Sequence, residues 1–358
     1  MISGGGTGGH IYPAISIAQS LQHMLEEVEI LFVGAKGKME MKKVPEAGFP
    51  IVGLWISGLQ RSLTIKNLLF PVKVIASLFK AGSLLRKFKP DAVIGVGGYA
   101  SGPLLFVASS KGVPTIIQEQ NSYAGLTNKW LAGKVDKICV AYPEMERYFP
   151  AEKLVLTGNP VRKDLMDVYS KRKEAFEFFK LDPKKKTMLI IGGSLGARTI
   201  NESIKAGIDQ LVAQDIQVIW QTGEYYFESI KKEMPAHDNV RIMPFLKEMV
   251  YGYAAADIVV SRAGALSIAE LMLTGKACIL VPSPNVAEDH QTKNAMALVK
   301  NEAAVLVKDN ESRAQLVNEA IALLSDEKKR EKLSNKILGM AQKDASDRIA
   351  KEIIELIK

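Results

Sequence analysis

At 358 residues, with 47% hydrophobic and 24% charged side chains, the chain is long enough for about two packed domains and is excluded from the disordered and fibrous classes. Its formal charge of +8, from 47 Lys and Arg against 39 Asp and Glu, favours an anionic partner without choosing between nucleotide, nucleic acid and acidic lipid. Only two cysteines occur, Cys139 and Cys278, each inside a short apolar run, so buried free thiols are expected rather than a disulfide or a metal site.

The first signal along the chain is Ser3-Gly4-Gly5-Gly6-Thr7-Gly8-Gly9-His10, which leads into a helical pattern. Glycines crowd such turns because a Cβ would block positive φ angles and the close approach of backbone N–H groups to a ligand phosphate. Only Met1 and Ile2 precede it, whereas a strand feeding such a turn has about 5 residues; either the natural chain starts earlier or this strand is unusually short. No cationic segment followed by a hydrophobic stretch opens the chain, which argues against secretion and for a cytoplasmic protein.

A strand at Ile30–Val33 comes next, and then a one-signed region. From Ala47 to Pro90 there is no acidic residue, while Arg61, Lys66, Lys73, Lys80, Arg86, Lys87 and Lys89 are present. Lys66, Lys73, Lys80 and Lys87 recur every seventh residue and would line one side of a continuous helix, with Leu68, Leu69, Val72, Ile75 and Phe79 on flanking faces. Pro71 would start or kink that helix. A basic rim beside apolar side chains suits an anionic membrane surface; a core helix with snorkelling lysines is the alternative. The run from Leu68 to Phe79 is broken by Lys73 and is too short to cross a bilayer.

Strands at Ala92–Ile94, Thr115–Ile117 and Ile138–Val140 follow. The first two end in Gly95-Val96-Gly97-Gly98-Tyr99 and Gln118-Glu119-Gln120-Asn121, the kind of carboxyl end at which ligands bind in open α/β sheets. The turn Gly158-Asn159-Pro160-Val161-Arg162 precedes a charged helix from about Lys163 to Lys180 and marks the boundary between two halves. A strand at Met188–Ile191 then enters a second glycine loop, Ile191-Gly192-Gly193-Ser194-Leu195-Gly196-Ala197-Arg198, and strands at Val218–Trp220, Ile258–Val260 and Ile279–Val281 complete this half. Short apolar runs alternating with helical patterns indicate βα units on a parallel sheet. The last helix, Asp347–Lys358, carries Ile349, Ile353, Leu356 and Ile357 on one stripe that must be buried against one half or the other. Two loops of one build, half a chain apart, imply two nucleotide-fold halves facing one cleft and a phosphorylated ligand.

In order along the chain, Gly5–His10, Gly97–Tyr99, the histidine-free Glu119-Gln120-Asn121 with Ala124–Lys129, Gly158–Arg162, Gly192–Arg198, Ser261–Glu270 and Asp289–Ala295 match a known pattern. The chain resembles the MurG family, bacterial transferases that add N-acetylglucosamine to lipid-linked N-acetylmuramyl-pentapeptide (lipid I), making lipid II for the cell wall. The resemblance implies an α/β fold of GT-B architecture, two Rossmann-like doubly wound domains facing a central cleft. Residues 1–160 would form the acceptor and membrane-facing domain, on which a C-terminal helix at about 342–358 has one place to pack, and residues 161–341 the donor domain. It further implies an inverting transfer from UDP-N-acetylglucosamine to the C4 hydroxyl of lipid I. The setting would be peripheral, at an anionic membrane surface on the cytoplasmic face, with no nucleic acid. No tightly bound cofactor is expected: no Asp-x-Asp pair occurs to hold a metal against the diphosphate, though stimulation by a divalent cation stays open.

On the same resemblance, Ser194 and its glycines would present donors to the diphosphate at the positive end of a helix beginning near Ala197. Glu270 would take the ribose diol, the alternative being a capping box from Ser267. Gln291, on one helical face with Asn294, would read the sugar hydroxyls. Arg162 and Asn121 would lie near the substrates, and Thr7, Gly8, Gly9, Leu246, Ala265, Leu266, Ser267, Ile268 and Ala269 would complete the donor set. Tyr99 and Asn128 belong to the acceptor side. The membrane set is Lys66, Leu69, Val72, Lys73, Ile75, Phe79 and Lys80. His10 is the candidate base, because an imidazole of ordinary pKa near 6.5 accepts a proton at neutral pH; a structural or phosphate-holding histidine is the rival. A dinucleotide oxidoreductase is disfavoured, since neither loop has the acidic residue expected after the next strand, where Gly34-Ala35-Lys36 and Gln221-Thr222 stand instead. A related glycolipid glycosyltransferase, a UDP-N-acetylglucosamine epimerase and a non-catalytic nucleotide-sugar sensor remain as alternatives.

Overall fold

A computed structural model describes residues 1–58, 69–193, 195–286 and 289–358. Among these the chain divides into two compact units, one of residues 1–161 with 342–358 and one of 162–341.

The first unit is built on a parallel sheet of β1 (Ile2–Ser3), β2 (Phe32–Ala35), β3 (Ile51–Leu54), β4 (Val93–Gly95), β5 (Thr115–Glu119), β6 (Lys137–Val140) and β7 (Leu154–Leu156), in the order β3-β2-β1-β4-β5-β6-β7. Although β1 has two residues, it sits in the middle, with Ile2 paired to Phe32 on one side and to Ile94 on the other. The strands feed two cores by alternation: Val93, Ile117 and Ile138 face one, while Ile94, Ile116 and Cys139 face the other. The second core is completed by the C-terminal helix Ala345–Leu356, whose Ile349, Ala350 and Ile353 pack with Ile11, Ile15 and Ala18 of helix Gly8–Met24. Ser20 Oγ donates to Asp347 Oδ1 at 2.7 Å across this contact.

The second unit repeats the plan with β8 (Thr187–Ile191), β9 (Gln217–Gln221), β10 (Val240–Met243), β11 (Ile258–Ser261), β12 (Cys278–Leu280) and β13 (Val305–Leu306), in the parallel order β10-β9-β8-β11-β12-β13. In both sheets the order reverses beside the strand that carries a glycine loop, at β1/β4 and β8/β11. Such switch points open a crevice at the carboxyl ends of the strands.

Strands β3, β7, β10 and β13 lie at or next to sheet edges and are only partly buried, so their sequences lack the uniform apolar run that marks the central strands. The expected charged helix at 163–180 is two pieces, a 3₁₀ turn Lys163–Asp167 and a helix Arg172–Phe179. Leu165 and Val168 are buried as anchors at the break, and the Tyr169 hydroxyl donates to Thr274 O at 3.1 Å, which fixes a corner where a continuous helix would run on. Both cysteines are free and buried, with burial pushing each thiol up to about 12. Among the described residues no helix is long and apolar enough to cross a membrane, and no group of three metal-ligating side chains occurs.

Candidate active site

In the second unit β8 runs through residues 192–197 into helix Arg198–Ala213. A Cβ on Gly196 would lie 2.0 Å from Thr222 O, and one on Gly192 would lie 2.4 Å from Ala197 N, so the backbone packs too closely for any side chain there. Ser194 lies outside the described residues. The loop opens into a cavity of ≈ 800 Å³ lined also by Gly264, Ser267, Ser283 and Gln291. Helix Ala265–Thr274 starts in its wall with Gly264 as the N-cap and no side chain capping it. The amides of Leu266 and Ser267 therefore have no acceptor within the helix, and they add to a dipole whose positive end faces the cavity. Ser267 is the third helical residue rather than the cap, so the capping box with Glu270 is not formed.

One turn further on, Glu270 Oε2 accepts from the Tyr253 hydroxyl at 3.0 Å and Oε1 lies 3.8 Å from Arg162 Nε. Burial raises the Glu270 carboxyl above the usual carboxylate range, opposed by Arg162 and by the Tyr253 bond. A diol donating to this carboxylate would relieve the same penalty. Gln291 Oε1 accepts from Ser283 N at 2.8 Å, which leaves its NH₂ to donate to a hydroxyl. Asn294, on the same helix, is fully buried and donates to Ala263 O. Ile268 is likewise fully buried in the core, so its side chain is turned away from any donor, while Ala265, Leu266 and Ala269 are partly exposed. Leu246 is buried, and its amide donates to Gln221 Oε1 at 3.1 Å. Gln221 Nε2 in turn donates to Gly193 O at 3.0 Å. This glutamine ties the glycine loop to the Leu246 turn.

The first glycine loop differs in its occupant. Gly6 has a φ of +84° and its N–H donates to Glu40 Oε2 at 2.8 Å, while Glu40 Oε1 accepts from Ala35 N at 2.9 Å. A Cβ on Gly5 would lie 2.2 Å from Glu40 Oε1, and Glu40 is fully buried. At Gly6 the loop amide is met by a carboxylate of the chain itself rather than left for a ligand. Thr7 caps helix Gly8–Met24 through its backbone only and is exposed, with Gly8 and Gly9 partly exposed.

His10 follows this loop, its Nδ1 3.0 Å from Gln120 Oε1. A Cβ on Gly97 would lie 2.7 Å from Nδ1, which makes glycine obligatory beside the ring. Burial lowers the His10 pKa, opposed by Glu119, the Gln120 bond, the Val96 carbonyl and Glu40. Glu119 is held by four donors, Asn121 N and Nδ2 on one oxygen and Gly125 N and Asn128 Nδ2 on the other, at 2.9 to 3.1 Å. Asn128 is 3% exposed, so the residue expected to face the acceptor instead shapes the 119–128 loop from beneath. Tyr99 is half exposed, and its ring fills the space where Gly58 has no Cβ.

On the same unit, helix Phe70–Phe88 has Pro71 in its first turn and, with its N-cap Leu69, leaves Leu69, Val72, Ile75 and Phe79 exposed, Phe79 by 77%. A core role for this face is thereby excluded. Lys66 lies outside the described residues. Lys73 is half-buried, donates to Ser57 Oγ at 2.9 Å and sits 5.8 Å over the Trp55 ring, so the exposed cations on and beside the apolar stripe are Lys80, Arg86 and Lys87.

Residues 1–140 match the glycosyltransferase family 28 N-terminal domain and residues 187–349 the glycosyltransferase family 28 C-terminal domain. A relative from Parabacteroides distasonis is 54% identical over 100% of this chain and 98% of its own length, and one from Cytophaga hutchinsonii is 55% identical over 100% and 96%. Both are named UDP-N-acetylglucosamine–N-acetylmuramyl-(pentapeptide) pyrophosphoryl-undecaprenol N-acetylglucosamine transferase. The chain belongs to glycosyltransferase family 28, among the MurG transferases. The crystal structure of the Acinetobacter baumannii MurG is 28% identical over 99% of this chain and 98% of that one, with a TM-score of 0.80. The two doubly wound parallel sheets are thus those of the GT-B class, as the resemblance implied. Gln118, Gln120 and Gln221, which the sequence placed only at strand ends, and Glu40, which it did not single out, tie these loops together.

Proposed function

We propose that this protein transfers N-acetylglucosamine from UDP-N-acetylglucosamine to the C4 hydroxyl of the N-acetylmuramyl unit of lipid I, with inversion, giving lipid II. The observation that carries the reading is the amide-lined cavity beside Glu270, in a chain more than half identical to transferases of that name. The leaving UDP carries its charge to the glycine loop and to the uncapped start of helix Ala265–Thr274, which stabilise it as the glycosidic bond breaks. Ser194 belongs to the same donor set. Glu270 accepts from the ribose diol, Arg162 opposes the burial that disfavours its charged form, and the Gln291 NH₂ donates to a sugar hydroxyl. His10 takes the proton from the acceptor hydroxyl as that oxygen attacks the anomeric carbon from the face opposite UDP. One such displacement needs no enzyme nucleophile and inverts the configuration. No tightly bound cofactor enters this reading, and magnesium can pair with the departing diphosphate in solution.

The acceptor's polyprenyl tail stays in the bilayer, so the enzyme works as a peripheral protein on the cytoplasmic face of the membrane. Val72, Ile75 and Phe79 with Lys80 and Lys87 suit shallow contact with anionic lipid. A single assay tests the activity: UDP-N-acetylglucosamine is supplied alone, with lipid I, or with diacylglycerol. Transfer to lipid I only is expected, with the anomeric centre inverted. Isomerised donor in the first arm, or glycolipid in the third, would replace this reading with an epimerase or a glycolipid transferase.

A further inference from the structure

Gln120 is 1% exposed and lies between the His10 ring and a closed set of carboxamides. Its Nε2 donates to Val96 O at 2.7 Å and also to Gln118 Oε1. Gln118 Nε2 donates to Asn159 Oδ1 at 3.0 Å, and Asn159 Nδ2 donates back to Gln120 O at 2.9 Å. Both hydrogens of the Gln120 amide are thereby engaged. Turning that amide over would set its oxygen against the Val96 and Gln118 oxygens, so the ring of amides fixes which end is which. The end left for His10 is Oε1, an acceptor, 3.0 Å from Nδ1. An acceptor at that distance requires an N–H opposite it, whereas a bare nitrogen would face it lone pair to lone pair.

We propose that Gln120 is a positioning residue that holds the neutral His10 imidazole as the Nδ1–H tautomer, so that Nε2 alone gains and loses the proton. The inference rests on the reading of His10 as the base. An imidazole free in water prefers the proton on Nε2, the wrong nitrogen for a ring whose Nδ1 edge is covered by Gly97 and Gln120. The charged groups facing the ring are Glu119, the last residue of β5, and Glu40, from helix Glu40–Glu46. Both favour the imidazolium. The Glu119 oxygens are held by four donors and the Glu40 oxygens by two backbone amides, and the side chain hydrogen-bonded to the imidazole is Gln120, with the Val96 carbonyl that Gln120 itself holds facing the same ring. The carboxamide therefore sets the tautomer, and the carboxylates act on the ring's overall charge. Because Gln118, Gln120 and Asn159 do not titrate, the network keeps one polarity across the working pH range.

The test uses the full chain labelled with ¹⁵N-histidine, which has four histidines, with His10 identified by the resonance lost in His10→Ala. Above the ring's titration, wild type should show a protonated Nδ1 and a bare Nε2. Gln120→Leu should move the ring towards the Nε2–H tautomer and lower kcat by about tenfold or more while the donor KM stays within about twofold, as expected when only proton transfer suffers. Gln120→Glu should keep the Nδ1–H tautomer and, by stabilising the imidazolium, move the acidic limb of kcat to higher pH. An unchanged tautomer in Gln120→Leu overturns the proposal, as does a fall in kcat matched by an equal rise in donor KM. If Gln120→Leu does not fold, an unmoved acidic limb in Gln120→Glu overturns it alone. His10→Ala separates the two readings: undiminished kcat there removes His10 as base, whereas the tautomer in wild type reports on Gln120 whatever that result.

Discussion

The two glycine loops share sequence, strand–turn–helix context and positive-φ glycines, Gly6 at +84° and Gly193 at +82°, yet they differ in what meets their amides. In the first, the carboxylate of Glu40, 34 residues along the chain, accepts from Gly6 and is sealed inside the fold. In the second, the loop and an uncapped helix open into a cavity. A glycine turn thus creates a place for an anion, and the neighbouring packing decides whether that anion belongs to the chain or to a ligand.

The sharpest way to break this contrast is through His10 at the first loop and Glu270 beside the second unit's cavity. His10→Ala should lower kcat by about 10²- to 10⁴-fold with donor KM unchanged, the range for a lost general base; steady-state kinetics with UDP-N-acetylglucosamine and lipid I check it. In wild type the sign of the pH effect follows from burial. The base must be unprotonated to act and its pKa is lowered, so kcat/KM should hold to lower pH than the ordinary imidazole value of about 6.5 allows. Next in size, Glu270→Ala should raise the donor KM about 10- to 100-fold, through loss of hydrogen bonds to a charged group worth about 1.5–3 kcal/mol, and titration calorimetry with UDP should show the same loss.

Glu40→Gln is the counterpart in the first unit. It should reduce stability by about 1–3 kcal/mol through weakened bonds to Gly6 and Ala35, seen in denaturant unfolding, and leave donor KM unchanged. A donor defect equal to that of Glu270→Ala would mean that the first loop holds the diphosphate after all. The smallest effect is at the exposed helix: Lys80→Glu with Lys87→Glu should weaken binding to anionic vesicles by about fivefold or more for each lysine, with no change on neutral vesicles or in donor KM.

Central strands such as Met188–Ile191 and Ile258–Ser261 were legible because both faces of a parallel strand are covered and the sequence runs apolar without alternation. Edge strands such as Val240–Met243 were not, since a half-covered strand with Arg241 in it resembles a loop. The glycine loops could be read because their backbone demands are local to a motif, and His10 and Glu270 were singled out as candidates through the motifs in which they stand. Glu40 could not: it stands in Lys38-Met39-Glu40-Met41-Lys42-Lys43, which reads as a solvated helix, and its burial comes entirely from the loop packed over it. Gln120 and Gln221 could be placed only at strand ends, without a role, for a related reason. An amide's role depends on which partners meet its two ends, and those partners, Val96 and His10 for one, Gly193 and Leu246 for the other, are distant in sequence. Asn128 was misjudged on the same account, its side chain being drawn inward by Glu119.

The return of the chain to its first unit at residue 342 has a bearing on biosynthesis. A ribosome releases the N-terminal sheet long before it makes Ile349 and Ile353, the side chains that close one of that sheet's two faces. Until residues 345–356 are made, the side of Ile11, Ile15 and Ala18 that meets them stays uncovered, while the stretch from 162 to 341 already has all of its own strands. The later-made unit can therefore mature first, and the nascent N-terminal half is the part that would call on a chaperone.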